Sequence, residues 1–132
     1  MARSSASTSA SRLCIREQCF KVEKAATDEA RHRGLMFHKP LAPDEGMLLL
    51  FKDAQNYRIW MKNMSFPLDV FWLDQHLKIL SFRSDVPPCE ISPCPTYAPS
   101  EPAYHVLELP AGTAQRLQLA PGDQFSFRKS PS

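Results

Sequence analysis

Leu68-Asp69-Val70-Phe71-Trp72-Leu73, the break Asp74-Gln75-His76, and then Leu77-Lys78-Ile79-Leu80-Ser81-Phe82 decide the fold class. The two apolar runs have the length of strands and are separated by a polar turn near Asp74-Gln75, which predicts a hairpin. The same grammar extends upstream. Gly46–Phe51 (GMLLLF) is the longest apolar run, and its Met47–Phe51 part is expected to be a central strand, followed by a turn over Lys52–Asn56. Tyr57–Lys62 alternates, with Tyr57, Ile59 and Met61 on one face and Arg58, Trp60 and Lys62 on the other. Asn63–Pro67 breaks that pattern. Near the start, Leu13–Ile15 and Cys19–Glu23 read as two short strands around Glu17-Gln18. Thr27 is placed to cap a helix carrying Asp28 and Glu29 in its first turn and stopping at Gly34. That helix has about two turns, so packing must hold it.

Downstream, six of the twelve prolines fall between Pro87 and Pro102. Proline there forbids helix and central strand, so a long, stiffened loop is expected, of a kind that is often functional. Tyr104–Leu109 is a strand. Pro110-Ala111-Gly112 leads into a short helix, Thr113–Leu119, ended by Pro121-Gly122, and Phe125–Phe127 is a last strand. About eight short strands and two short helices, without long helical crossovers, predict a mainly β fold. The expected form is a single compact β-barrel or β-sandwich domain over residues 13–128. Residues 1–12 and 129–132 are expected to be tails.

Bulk properties narrow the function classes. Of the 132 residues 43% are hydrophobic, which suits one globular core. Formal net charge is +2 with both signs interspersed, so no basic stripe awaits a phosphate backbone and no nucleic-acid partner is expected. No apolar run approaches the roughly 20 residues of a membrane helix, and no membrane partner is expected. Met1–Arg12 is Ser- and Ala-rich without an apolar signal core, which gives a cytoplasmic expectation. A periplasmic or secreted protein is the alternative if the N-terminus is truncated. A monomer is expected.

Seven short motifs then occur in a fixed order: RGLM (Arg33–Met36), EGML (Glu45–Leu48), WMKN (Trp60–Asn63), PLD (Pro67–Asp69), Pro87-Pro88-Cys89, Pro93-Cys94-Pro95 and VLEL (Val106–Leu109). As a set they resemble the family called domain of unknown function 192, also known as an uncharacterised protein family, over roughly residues 19 to 127. The resemblance implies a compact β-barrel or sandwich with small helices. No activity comes with it. Many relatives carry an export signal. Of the two cysteine pairs, only Cys89 and Cys94 match the family motif.

The residues offer several chemistries. Cys14 and Cys19 are separated by four residues, as are Cys89 and Cys94, and prolines clamp the second loop. A disulfide, free thiols, and a zinc or copper site all remain open, with Met61 as a further soft ligand for copper; knuckle glycines typical of zinc sites are missing. Trp60, flanked by Arg58 and Lys62 and followed by Asn63, suits a small acidic or planar ligand, or is simply packed. Asp69 and Glu108 stand in apolar strands and need partners if buried; Arg33 and Lys62 are the expected ones for Glu45, Asp69 or Glu108. The four histidines show no ligand spacing, and nucleophile and phosphate motifs are missing. The reading is therefore a ligand- or partner-binding module with no cofactor, its partner an unknown small molecule or peptide. Its candidate site comprises Arg33, Trp60, Lys62, Asn63, Asp69, Cys89, Cys94, Tyr97 and Glu108. The alternatives are a small hydrolase-like enzyme, with Asp69 and Glu108 as acid and base or Cys89 as thiol nucleophile, and a zinc or copper binder.

Overall fold

The computed structural model describes residues 10–129 of the chain. In chain order the elements are β1 (Ala10–Ile15), β2 (Gln18–Ala25), α1 (Asp28–Arg33), β3 (Glu45–Gln55), β4 (Ile59–Trp60) and β5 (Leu68–Leu73). There follow β6 (Ile79–Val86), β7 (Thr96–Tyr97), β8 (Ala103–Pro110), α2 (Thr113–Leu117) and β9 (Ser126–Phe127). Seven strands form one sheet in the order β6-β5-β8-β3-β2-β1-β9; β4 and β7 form a separate two-stranded ribbon. The expected hairpin is the β5–β6 pair at one edge, with Phe71 opposite Phe82. Only β2 and β3 run parallel in this sheet, because α1 lies in their connection. The fold is thus mainly β with two short helices, as the strand pattern predicts. The large sheet is mixed and does not close into a barrel. It comes near to closing: the N–H of Ile79 donates to the Asp123 carbonyl and that of Phe125 to the Leu77 carbonyl, while Ser126 pairs with Cys14 of β1.

Alternation along the central strands sends apolar side chains to both faces, so each face needs its own cover. On one face Phe71, Leu73, Leu107 and Leu109 pack with Ala114, Leu119 and Phe125 from and after α2. On the other, Val70, Trp72 and Val106 pack under Leu35, Ile59 and Met61, from the turn after α1 and from the β4 segment. The Trp72 indole N–H donates to the Tyr57 carbonyl at 2.9 Å, which fixes the approach to β4. Gly46 is required where β3 meets β8: a Cβ there would stand 2.5 Å from Leu109 Cδ2 and 2.7 Å from the Glu108 carbonyl oxygen.

Some boundaries differ from the expected ones, for physical reasons. β1 begins at Ala10, inside the stretch read as a tail, because Ala10 to Arg12 pair with Glu23 to Lys21 of β2. The rest of that expected tail, residues 1–9, lies outside the described residues, as do residues 130–132 of the other. β3 continues through the expected turn at Lys52–Asn56 as far as Gln55, with a register irregularity between Leu50 and Gln55. The alternating Tyr57–Lys62 run keeps its two faces but only Ile59 and Trp60 are strand, since its partner β7 is two residues long. α2 ends at Leu117 because Gln118 adopts the left-handed conformation.

Candidate functional site

The site is built from α1 outward. The Thr27 hydroxyl oxygen accepts a hydrogen bond from the Ala30 N–H at 3.1 Å, capping the helix, and Asp28 and Glu29 occupy its first turn. Arg31 ties the short helix down: its guanidinium donates to the carbonyls of Ala26 and Leu50, both at 2.7 Å, and pairs with Asp28. Gly34 then takes φ 50°, which a side chain would resist, and turns the chain over the sheet. A Cβ here would meet the Glu108 Oε1 in ordinary contact at 3.8 Å, so it is the backbone conformation and not lack of space that calls for glycine.

Beneath that turn lies a cavity of about 120 Å³. Its floor is apolar, with Leu49, Met61 and Leu68; Trp60 forms a side; Arg33 and Arg58 stand at its rim. Glu108, from β8, lines it from within the sheet and is only 5% exposed. Among the described residues its carboxyl has neither a hydrogen-bond nor an ion-pair partner; no unpartnered side-chain polar atom is sealed from solvent, so its oxygens open onto the cavity, and burial of the group pushes it up to about 7. Val70 and Met47, its neighbours across the strands, are apolar.

Not all the expected site residues meet here. Arg33, Trp60 and Glu108 do. Lys62 and Asn63 border the cavity without lining it. The Lys62 ammonium lies 5.1 Å over the Trp60 ring, and the Asn63 carbonyl accepts from the Phe37 N–H, pinning the turn after α1. The proline-rich loop reaches the same side, as Tyr97 pairs with Ile59 and the Cys89 N–H donates to the Met61 carbonyl. Cys94 is bonded to Cys89.

Asp69 does not join them. It is opposite Leu109 in the β5–β8 register and so points to the other face from Glu108, which is opposite Val70. There, fully buried, its carboxylate accepts from the backbone N–H groups of Asp85 (2.8 Å), Gly112 (3.2 Å) and Ala114 (2.7 Å). The expected ion pairs of Arg33 and Lys62 with Glu45, Asp69 or Glu108 are corrected likewise: Glu45 accepts from the Ala42 N–H instead. The ion pairs among the described residues are Arg16–Asp123, Arg31–Asp28 and His38–Glu23.

The thiol alternatives resolve into two disulfides. Cys14–Cys19 joins paired residues of β1 and β2, and Cys89–Cys94 closes the proline-clamped loop. With no free cysteine among the described residues, Cys89 has no thiol for nucleophilic attack, and neither Cys89 nor Cys94 has a thiolate to offer zinc or copper. Met61 lies in the apolar floor, and no cluster of metal-ligating side chains occurs among the described residues.

Two contributors were not singled out from sequence. The sequence marks Arg58 only as a flank of Trp60, although the alternation puts both on one face. Gly34 reads in the sequence as a helix stop, which it is; that the turn it makes lies beside Glu108 has no sequence signal.

Comparisons with known proteins agree with this architecture. The family model DUF192, described as "Uncharacterized ACR", matches residues 11–127. The UPF0127 protein TK1120 of Thermococcus kodakarensis is 29% identical over 107 residues, 81% of this chain and 64% of that protein. A UPF0127 protein of Thermococcus gammatolerans is 30% identical over 106 residues, 80% and 65% of the two chains. The match therefore spans less than two thirds of these relatives' length. A crystal structure from Sinorhizobium meliloti 1021, of a protein described as a candidate transcription regulator, superimposes with TM-score 0.85 at 31% identity, covering 91% of this chain and 95% of that one. A protein of unknown function from Novosphingobium aromaticivorans shares the fold, with TM-score 0.84 at 24% identity over 96% and 91% of the chains. The chain belongs to the DUF192 family.

Proposed function

We propose that this domain is a binding module for a small molecule, held in the cavity between Gly34, Trp60 and Glu108. One observation carries the reading: the Glu108 carboxyl, on a residue only 5% exposed, faces that cavity with no protein partner among the described residues. A largely buried carboxyl that the protein leaves without a partner and opens onto a cavity favours a ligand site there. The volume of about 120 Å³ favours a small molecule over a peptide. The rim cations are few and local, which keeps nucleic acid outside this proposal. The domain is proposed to act as a monomer.

A proton-transfer enzyme is the second reading, favoured by a carboxyl near 7 with His32 also lining the cavity. It has less support, because Asp69 faces away and Cys89 is bonded, so no nucleophile stands beside Glu108. The two disulfides support an oxidising compartment over the cytoplasm. Among the described residues no helix is long and apolar enough to cross a membrane.

The test is a thermal-shift screen of small metabolites on the wild-type chain and on Trp60→Leu. A binding module gains melting temperature with at least one compound in the wild type and loses most of that gain in the variant. A compound that stabilises both equally binds elsewhere and counts against the proposal.

A further inference from the structure

We infer that the occupant of this cavity is a small zwitterion of the α-amino acid class, its ammonium against Glu108 and its carboxylate toward Arg33. The inference rests on the binding reading above and adds the ligand's chemistry. Size comes first. A cavity of 150 Å³ is known to hold benzene, so about 120 Å³ encloses roughly five non-hydrogen atoms, and an amino acid of six to eight must reach out through the mouth toward Arg33.

Charge comes next. The cavity has an acidic pole inside and a basic pole at its mouth, and the protein does not join them. Burial raises the Glu108 carboxyl above the ordinary carboxylate range, and no ion pair joins it to a guanidinium among the described residues. The charged and titratable groups around it are Arg31, His32 and Arg33 from α1 and Arg58 before β4, while its neighbours on β3 and β5 are the apolar Met47 and Val70. Arg31 is occupied by Asp28 and two carbonyls. Arg58 donates one N–H to the Thr96 hydroxyl at 3.1 Å. The Arg33 guanidinium makes no hydrogen bond or ion pair among the described residues, so its fork is available for a carboxylate.

A molecule positive at one end and negative at the other satisfies both poles at once. An ammonium offsets the cost of an ionised buried carboxylate, which a neutral or anionic ligand cannot do. The remaining wall, with Trp60, Met36 and Met64, accepts a short apolar side chain. Two other surface depressions among the described residues differ in kind. The one beside α2, between Pro43 and Arg116, has no buried ionisable group among its lining residues. The one between Lys21, His38 and Glu45 has a carboxylate already hydrogen-bonded to Ala42.

The experiment follows the Trp60 indole resonance and titration calorimetry with alanine, serine and valine. Propanoate, which lacks the ammonium, and ethylamine, which lacks the carboxylate, are the controls. The wild type is expected to bind the amino acids at least about tenfold more tightly than either control, and Glu108→Gln and Arg33→Gln each lose about tenfold. Amino-acid affinity should rise as pH passes upward through about 7, since Glu108 becomes ionised while the ammonium stays charged. Glu108→Gln keeps side-chain volume, Arg33→Gln shortens an exposed side chain, and circular dichroism verifies both folds. Propanoate binding as tightly as alanine, or affinity falling as pH rises, overturns the zwitterion and leaves a binding site of other chemistry. An indole resonance moved by none of these probes, nor by any compound from the metabolite screen, overturns both readings.

Discussion

Asp69 and Glu108 are carboxyl groups on neighbouring strands of one sheet, both buried, one on each face. Asp69 meets three backbone N–H groups: two from the turn into α2 and one from Asp85 on β6. Glu108 meets a cavity. The first is a staple, in which a carboxylate completes hydrogen bonds that the chain could not otherwise make. The second carries the cost of burial with nothing in the protein to offset it. Burial of an acid is therefore no guide to its role; the partners are. A site is proposed where the partner has to come from outside.

The largest effect that can break this comparison is at Asp69. Asp69→Ala leaves three donors without their acceptor in or beside the core, and its cost is expected to be about 4 kcal/mol in urea unfolding. Asp69→Asn keeps one carbonyl acceptor and should lose clearly less. If Asp69→Ala unfolds at the same urea concentration as the wild type, the staple does not exist.

Glu108 should behave in the opposite sense. Its folded-state value is raised above the ordinary 4.5 to about 7, so the folded chain holds a proton that the unfolded chain has released. Stability then falls as pH rises between those two values, and the cost is complete above the folded value. A difference of this size corresponds to roughly 3 kcal/mol. Glu108→Gln removes the titrating group, so it should be more stable than the wild type by up to that amount above about pH 7, with the two curves converging as pH falls below 4.5. A Glu108→Gln chain that is less stable at alkaline pH would mean that Glu108 has a partner after all.

The contrast between the faces was only half legible in the sequence. Strand alternation at 68–73 and 104–109 placed both acids within apolar strands, and that alone shows each needs a partner. Which partner is another matter. Asp69 is satisfied by Gly112 and Ala114, more than forty positions away, through backbone N–H groups that every residue except proline possesses; no side-chain pattern can announce them. The expected ion pairs failed for the same reason, since Glu45 also found a backbone donor. Arg33, Trp60 and Glu108 could be nominated because each is chemically out of place for its element. Their meeting depends on the left-handed turn at Gly34 and on the two-residue ribbon of β4 with β7, features too short to leave a periodic signal. Helix α1, by contrast, was marked at both ends by Thr27 and Gly34, and its bounds are those expected.

The smallest expected effect concerns Lys62, which tests how far the basic pole of the cavity extends. Lys62 is exposed, and its ammonium lies over the Trp60 ring without lining the cavity. Such a contact at an exposed site is worth about 0.5 kcal/mol, and methionine retains a similar apolar stem. Lys62→Met should therefore leave the unfolding midpoint nearly unchanged while altering Trp60 fluorescence. Its effect on ligand affinity should be no more than about threefold, acting through the orientation of the indole. Glu108→Gln and Arg33→Gln, whose groups line the cavity, should lose considerably more. A tenfold or greater loss in Lys62→Met would move the basic pole outward from Arg33 to Lys62 and assign the occupant's anionic end to the Trp60 side of the mouth. The distinction between the two faces would survive that result, because it rests on Glu108 and not on which cation stands opposite.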